Sequence, residues 1–152
     1  EDLQQLTAPW PYSPGQGKVV GEHQGAHYFT IGQRKGMNVG GTPLPLFVIH
    51  TDVEKNIIYT GQGGEHPGLL RHGLRIAPSA LHWVREDQRM WPGESRQLLV
   101  RIRYRQEREP ATLFMEEDGM YIIFDNPQKS ITPGQFAAWY QQNELIGSGV
   151  IS

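Results

Sequence analysis

From Gly73 to the end of the chain the hydrophobic and polar positions keep a β period. Apolar and β-branched residues recur through Leu74–Val84, Gln97–Arg103, Ala111–Met115, Met120–Phe124, Gln135–Tyr140 and Leu145–Ile151. Glu117-Asp118-Gly119 and Gln142-Asn143-Glu144 supply residues that tolerate tight bends, so each closes a hairpin. Six strands joined by such turns predict a small antiparallel barrel, because closure hides the edges that a meander of this length would expose. The first half is patterned differently. Leu46–His50 and Asn56–Thr60 are apolar runs with turn residues at Thr51–Lys55 between them, which predicts a β-hairpin. Gly25–Ile31 could be a short helix or an extended piece, since its apolar spacing supports neither strongly, and it stays undecided.

Breakers divide these segments. The chain starts with a helical turn that dissolves into Ala8-Pro9-Trp10-Pro11-Tyr12-Ser13-Pro14-Gly15, where proline prevents regular structure. Gly61-Gln62-Gly63-Gly64-Glu65-His66-Pro67-Gly68 breaks the pattern again and is the expected hinge. The predicted organisation is a connector at 1–16, a small β-rich central domain at 17–72 and a six-stranded antiparallel β-barrel at 73–152. The fold class is mainly β.

Composition narrows the function classes. The chain has 152 residues, 38% of them hydrophobic and 20% charged, as expected of a globular protein. Acidic residues number 16 against 14 basic ones, so nucleic acid would have to be met by a local patch rather than by the field of the whole molecule. There is no cysteine, which excludes a disulfide, a thiolate nucleophile and a cysteine-ligated metal within these residues. No apolar run approaches the ~20 residues needed to span a bilayer. Glu1-Asp2-Leu3-Gln4-Gln5 lacks the order of a signal peptide, so the expectation is a cytoplasmic chain without a membrane partner. The missing initiator methionine suggests a fragment.

Two stretches carry candidate chemistry. In Gly21–Gly41, GEHQGAHYFTIGQRKGMNVGG, glycines bracket Arg34 and Lys35 at positions 32 and 36. Gln33, Arg34 and Lys35 are thus predicted on a tight loop that can offer two cations and an amide to a phosphodiester; a solvated turn is the plain alternative. In Val100-Arg101-Ile102-Arg103-Tyr104-Arg105-Gln106, strand alternation would send Arg101, Arg103 and Arg105 to one face, about 6.6 Å apart, a repeat comparable with that of phosphates. Tyr104 and Gln106 stand ready to stack or hydrogen-bond. A solvated face offset by Glu107 and Glu109 is an equal alternative. Ile131-Thr132-Pro133-Gly134-Gln135 reads as a turn that leaves Gln135 at the start of a strand.

Other signals are weak. His23 and His27 are four apart after Glu22, but Gly21 and Gly25 weaken the helix needed to align them, so hydrogen-bonded or exposed histidines are expected rather than a metal. No phosphate-binding or nucleophile-elbow motif occurs, and Trp10, Trp83, Trp91 and Trp139 are read as core.

The order GEHQG, Tyr28-Phe29-Thr30, GQRKG, Gly40-Gly41, GGEHPGL, LHWV, RYRQ, Phe124-Asp125-Asn126-Pro127, TPGQ and the closing Gly147-Ser148-Gly149-Val150-Ile151 resembles the bacterial tRNA-specific 2-thiouridylase family over nearly the whole chain. The resemblance implies the region C-terminal to that family's catalytic domain, namely a central segment and a barrel like the second domain of elongation factor Tu. It implies tRNA binding at Arg103, Tyr104 and Gln135, with Gln33, Arg34, Lys35, Arg101 and Arg105 as further RNA or interdomain contacts. It implies a parent sulfurtransferase that activates the wobble uridine with ATP and magnesium in an N-terminal domain. That domain and tRNA are the partners implied, a sulfur-carrier protein is a further candidate, and the chain is expected to be monomeric. This piece would hold no cofactor, no catalytic residue and no metal, and would be inactive alone. A cysteine within about twenty residues upstream and a glycine-rich loop near the start of the full chain are also implied. One departure is that Gly17-Lys18-Val19-Val20 leads directly into Gly21, where the family usually has a few more residues. The competing reading is a protein-interaction barrel whose arginines meet an acidic partner without RNA.

Overall fold

The computed structural model describes residues 3–8, 17–29, 31–34, 44–62 and 69–152. Lys35, Gly36, Gly40, Gly41, the proline-rich stretch from Pro9 and the Gly63–Gly68 part of the expected hinge lie outside the described residues. The chain divides into two units, Pro9–Leu70 and Glu1–Ala8 with Arg71–Ser152.

The first unit is built on a hairpin of β1 (Leu46–Asp52) and β2 (Ile57–Gln62). Both strands run two residues further than their apolar cores, and a bulge lies between Val48 and His50. Asn56 closes the turn at φ 57°, in the left-handed region that asparagine tolerates better than most residues. Leu46 and Val48 are buried and pack with Phe29 and Ile58. The undecided stretch is a 3-10 turn, Ala26–Tyr28, followed by extended backbone at Phe29. His23 ties this turn to the hairpin. Its Nδ1 accepts the Gly25 N–H at 3.0 Å and its Nε2 donates to the Asn56 carbonyl at 3.1 Å. The Asn56 Oδ1 in turn accepts the Ala26 N–H at 2.8 Å.

The second unit is a seven-stranded sheet. Its strands are β3 (Leu70–Ile76), β4 (Leu81–Trp83), β5 (Ser95–Arg101), β6 (Glu109–Glu116), β7 (Gly119–Lys129), β8 (Phe136–Gln141) and β9 (Glu144–Val150). They lie in the order β3-β7-β6-β5-β8-β9-β4. The pairs β5–β6, β6–β7, β5–β8, β8–β9 and β4–β9 are all antiparallel. The sheet curls on itself: the Ser152 N–H, just beyond β9, donates to the Arg75 carbonyl on β3 at 2.9 Å. A seventh strand arises because the predicted Leu74–Val84 run breaks at Pro78. Proline lacks the N–H that the ladder needs and opens a 3-10 turn, Pro78–Ala80, between β3 and β4.

Leu74, Val100, Leu113, Ile122, Trp139 and Ile146 fill the interior. Each such burial contributes roughly 1.5–3 kcal/mol, which is what holds a sheet of short strands closed. Trp83 meets Trp139 edge-on at 5.6 Å. Trp91, expected in the core, is instead 61% exposed, because it opens a turn and Met90 takes the inward position. Trp10 lies outside the described residues. The start of the chain joins this unit rather than acting only as connector: α1 (Leu3–Thr7) buries Thr7, whose carbonyl accepts from the Arg71 guanidinium.

Candidate nucleic-acid interface

The arginine row predicted along one strand does not form. β5 ends at Arg101, and residues 102–106 are a turn closed by the Gln106 N–H on the Arg103 carbonyl at 3.2 Å. The cause is a side chain. Gln106 Oε1 accepts the Ile102 N–H at 2.9 Å, so the amide that would have continued the ladder is taken locally. Gln106 Nε2 then donates to Gln128 Oε1 at 2.8 Å, which anchors the turn to β7. Gln106 is therefore a brace rather than a free contact residue.

Each arginine has a separate position. Arg101 donates from Nη2 to the Tyr140 hydroxyl at 2.7 Å, with its guanidinium 5.3 Å from that ring. Arg108, which strand alternation does not single out, lies 3.9 Å from the same ring and also donates to the Gln142 carbonyl. Arg105 is exposed at the tip of the turn, beside Tyr104, whose side chain is 87% exposed.

Arg103 reaches across to the TPGQ corner. Its Nη2 donates to the Ser130 carbonyl at 2.7 Å and also to the Lys129 carbonyl. Thr132 Oγ1 donates to the same Ser130 carbonyl at 3.0 Å. Partial burial lowers the Arg103 pKa from the ordinary arginine value, yet the group stays charged at neutral pH. Among the described residues only Nη2 of Arg103 is engaged, so Nε and Nη1 remain for an anion.

The corner itself is a tight turn. The Gln135 N–H donates to the Thr132 carbonyl at 3.2 Å, and Gly134 takes φ 91°, a conformation that favours glycine. The Gly134 N–H donates to the Ile151 carbonyl and the Ile151 N–H to the Gln135 carbonyl, both at 2.8 Å, so the turn is stitched to the end of the chain. The Gln135 Oε1 is shielded from solvent and accepts no hydrogen bond from a described residue. Buried acceptors of this kind are uncommon. The turn that carries Arg103 and Tyr104 and the turn that carries Gln135 lie at the same end of the β5–β8 pair, and Arg103 reaches only the residues before the second turn.

In the first unit, Gly32 donates to the Val48 carbonyl at 2.6 Å and Val48 donates back to the Gln33 carbonyl at 2.8 Å, so this loop docks along β1. Arg34 is exposed, and Lys35 lies outside the described residues. His23 is held by hydrogen bonds on both ring nitrogens, and His27 lies against Tyr28 with ring centroids 4.1 Å apart. Among the described residues no three His, Asp or Glu side chains converge on a metal position.

A small hairpin unit and a curled antiparallel sheet place the chain among mainly β, barrel-type domains. The chain belongs to the aminomethyltransferase β-barrel domain family, which matches residues 72–151. Residues 12–62 match the tRNA methyl transferase PRC-barrel domain. The chain is 60% identical over 152 residues to the tRNA-specific 2-thiouridylase MnmA of Christiangramia forsetii, covering 100% of this chain and 38% of that protein. It is 57% identical over the same length to the protein of that name from Flavobacterium johnsoniae, with the same coverage. It is 45% identical over 141 residues to that of Karelsulcia muelleri, covering 93% of this chain and 36% of that one. The chain therefore spans well under half the length of these curated relatives. No helix among the described residues is long and apolar enough to cross a membrane.

Proposed function

We propose that this chain is the tRNA-holding C-terminal region of a tRNA 2-thiouridylase. The observation that carries the reading is the bracket from Arg103 to the Lys129 and Ser130 carbonyls, which ties the turn bearing the exposed Tyr104 to the residues just before the Thr132–Gln135 turn. Arg103 and Arg105 meet phosphates, Tyr104 stacks on a base, and Gln135, at the turn that leads into β8, completes the RNA-facing set. Support comes also from relatives named for 2-thiolation of tRNA.

In this reading the adenylation chemistry, with ATP and magnesium, and the sulfur transfer are performed by the rest of the enzyme, and this chain alone is inactive. The Gln33–Lys35 loop forms a second contact, toward the catalytic domain or the RNA. Affinity of the chain alone is weak and salt-sensitive, since a few phosphate contacts carry it. The test is a titration of labelled tRNA transcript at low and moderate salt with Tyr104→Ala beside the parent. Tyr104 is so exposed that its removal leaves the fold intact. A loss of about fivefold or more supports the reading. Equal binding, together with an acidic protein that stays bound after nuclease treatment, identifies the barrel as a protein-docking module instead.

A further inference from the structure

The outer face of the sheet carries an aromatic residue that the corner does not account for. Along β8, Ala137 and Trp139 are fully buried, so alternation turns Phe136 and Ala138 outward, and Phe136 is 66% exposed. The register identifies its neighbours. Phe136 pairs with Val150 on β9, and Ala138 pairs with Arg101 on β5 and Ser148 on β9. A large exposed ring thus stands beside two small residues, Ala138 and Ser148, which leave room above the sheet for a flat group to lie against it.

Scattered exposed apolar side chains are ordinary, so the position has to decide. Phe136 directly follows Gln135. Because Arg101 opposes Ala138 in an antiparallel pair, the turn that bears Tyr104 lies at the same end of the barrel as Phe136. The turn at this end is cationic: Arg103 and Arg105 stand on it with no acidic residue between Ile102 and Gln106, in a chain whose net charge is −2. An exposed aromatic ring at the same end of the sheet as a turn bearing two arginines matches how proteins hold unpaired bases while gripping the backbone.

We propose that Phe136 is a second stacking platform, taking an unpaired base of the RNA held at the Arg103–Gln135 corner. The proposal rests on the tRNA-holding reading above. Its test is the affinity of a labelled, unmodified tRNA transcript for the full-length enzyme carrying this sequence, measured over a range of salt for Phe136→Ala, Phe136→Leu, Phe136→Tyr and Arg103→Ala. Phe136→Ala and Phe136→Leu are expected to weaken binding about tenfold, and Phe136→Tyr to keep it. The slope of log affinity against log salt stays at the parent value in all three, because no phosphate contact is lost. Melting temperatures are unchanged, since the ring is exposed. If Phe136→Leu binds like the parent, the ring is only an apolar cover and the proposal falls. If all Phe136 variants bind like the parent while Arg103→Ala is weakened, the platform falls and the tRNA-holding reading stands. If Arg103→Ala is also unchanged, both fall.

Discussion

At the scale of single residues, side chains that the backbone pattern treats as surface decide the shape of the corner. Gln106 takes the Ile102 amide and turns the chain, and Arg103 then braces the turn against β7 and the residues after it. Arg103→Met keeps much of the side-chain length but removes the Nη2 that donates to both carbonyls. It should cost about 1–2 kcal/mol in chemical unfolding, whereas an unchanged midpoint would mean that the bracket is not structural. Close packing makes a second residue diagnostic. A Cβ at Gly147 would lie 2.7 Å from the Trp139 Nε1 and 2.9 Å from the His82 carbonyl. Gly147→Ala should therefore destabilise the barrel by about 1–3 kcal/mol, read as a lower melting temperature.

At the scale of elements, the hairpin and the barrel strands are legible because half-buried strands write their alternation into the sequence. The turns Glu117-Asp118 and Gln142-Asn143 fall where their residue types place them, between the pairs Glu116 with Gly119 and Gln141 with Glu144. The end of β5 is not legible. RIRYRQ continues to alternate past Arg101, and period alone cannot register that a glutamine side chain has captured the next amide. Trp91 departs from expectation for a related reason: hydrophobicity marks a residue as fit for the core, but the turn geometry at 91–94 faces it outward. Within the first unit, His50 is an element-scale probe. Burial lowers its pKa from the ordinary histidine value, with Asp52 opposing. The folded hairpin thus prefers the neutral ring while the unfolded chain takes up a proton near pH 6.5, so stability present above about 6.5 is lost as pH falls below that value toward the lower folded one. His50→Gln should flatten the acid side of the stability profile of this unit, and an equally steep profile in the variant would assign the slope to other groups.

At the scale of the whole molecule, a net negative chain presents a positive corner, which is how local charge can serve RNA without a basic protein. The order of motifs makes the family legible before any geometry. What the sequence does not convey is which arginine does what, since Arg101 lies against Tyr140, Arg103 holds the corner and Arg105 stands exposed at the tip. The proposed grip of this corner on RNA is measured most directly by the dissociation constant of a tRNA transcript from the full-length enzyme, between about 50 and 200 mM salt, for the parent and Arg103→Ala. If Arg103 holds a phosphate, the variant binds more weakly at every salt concentration and its log–log salt slope is shallower by about one. The same affinity and the same slope in both proteins would contradict that role.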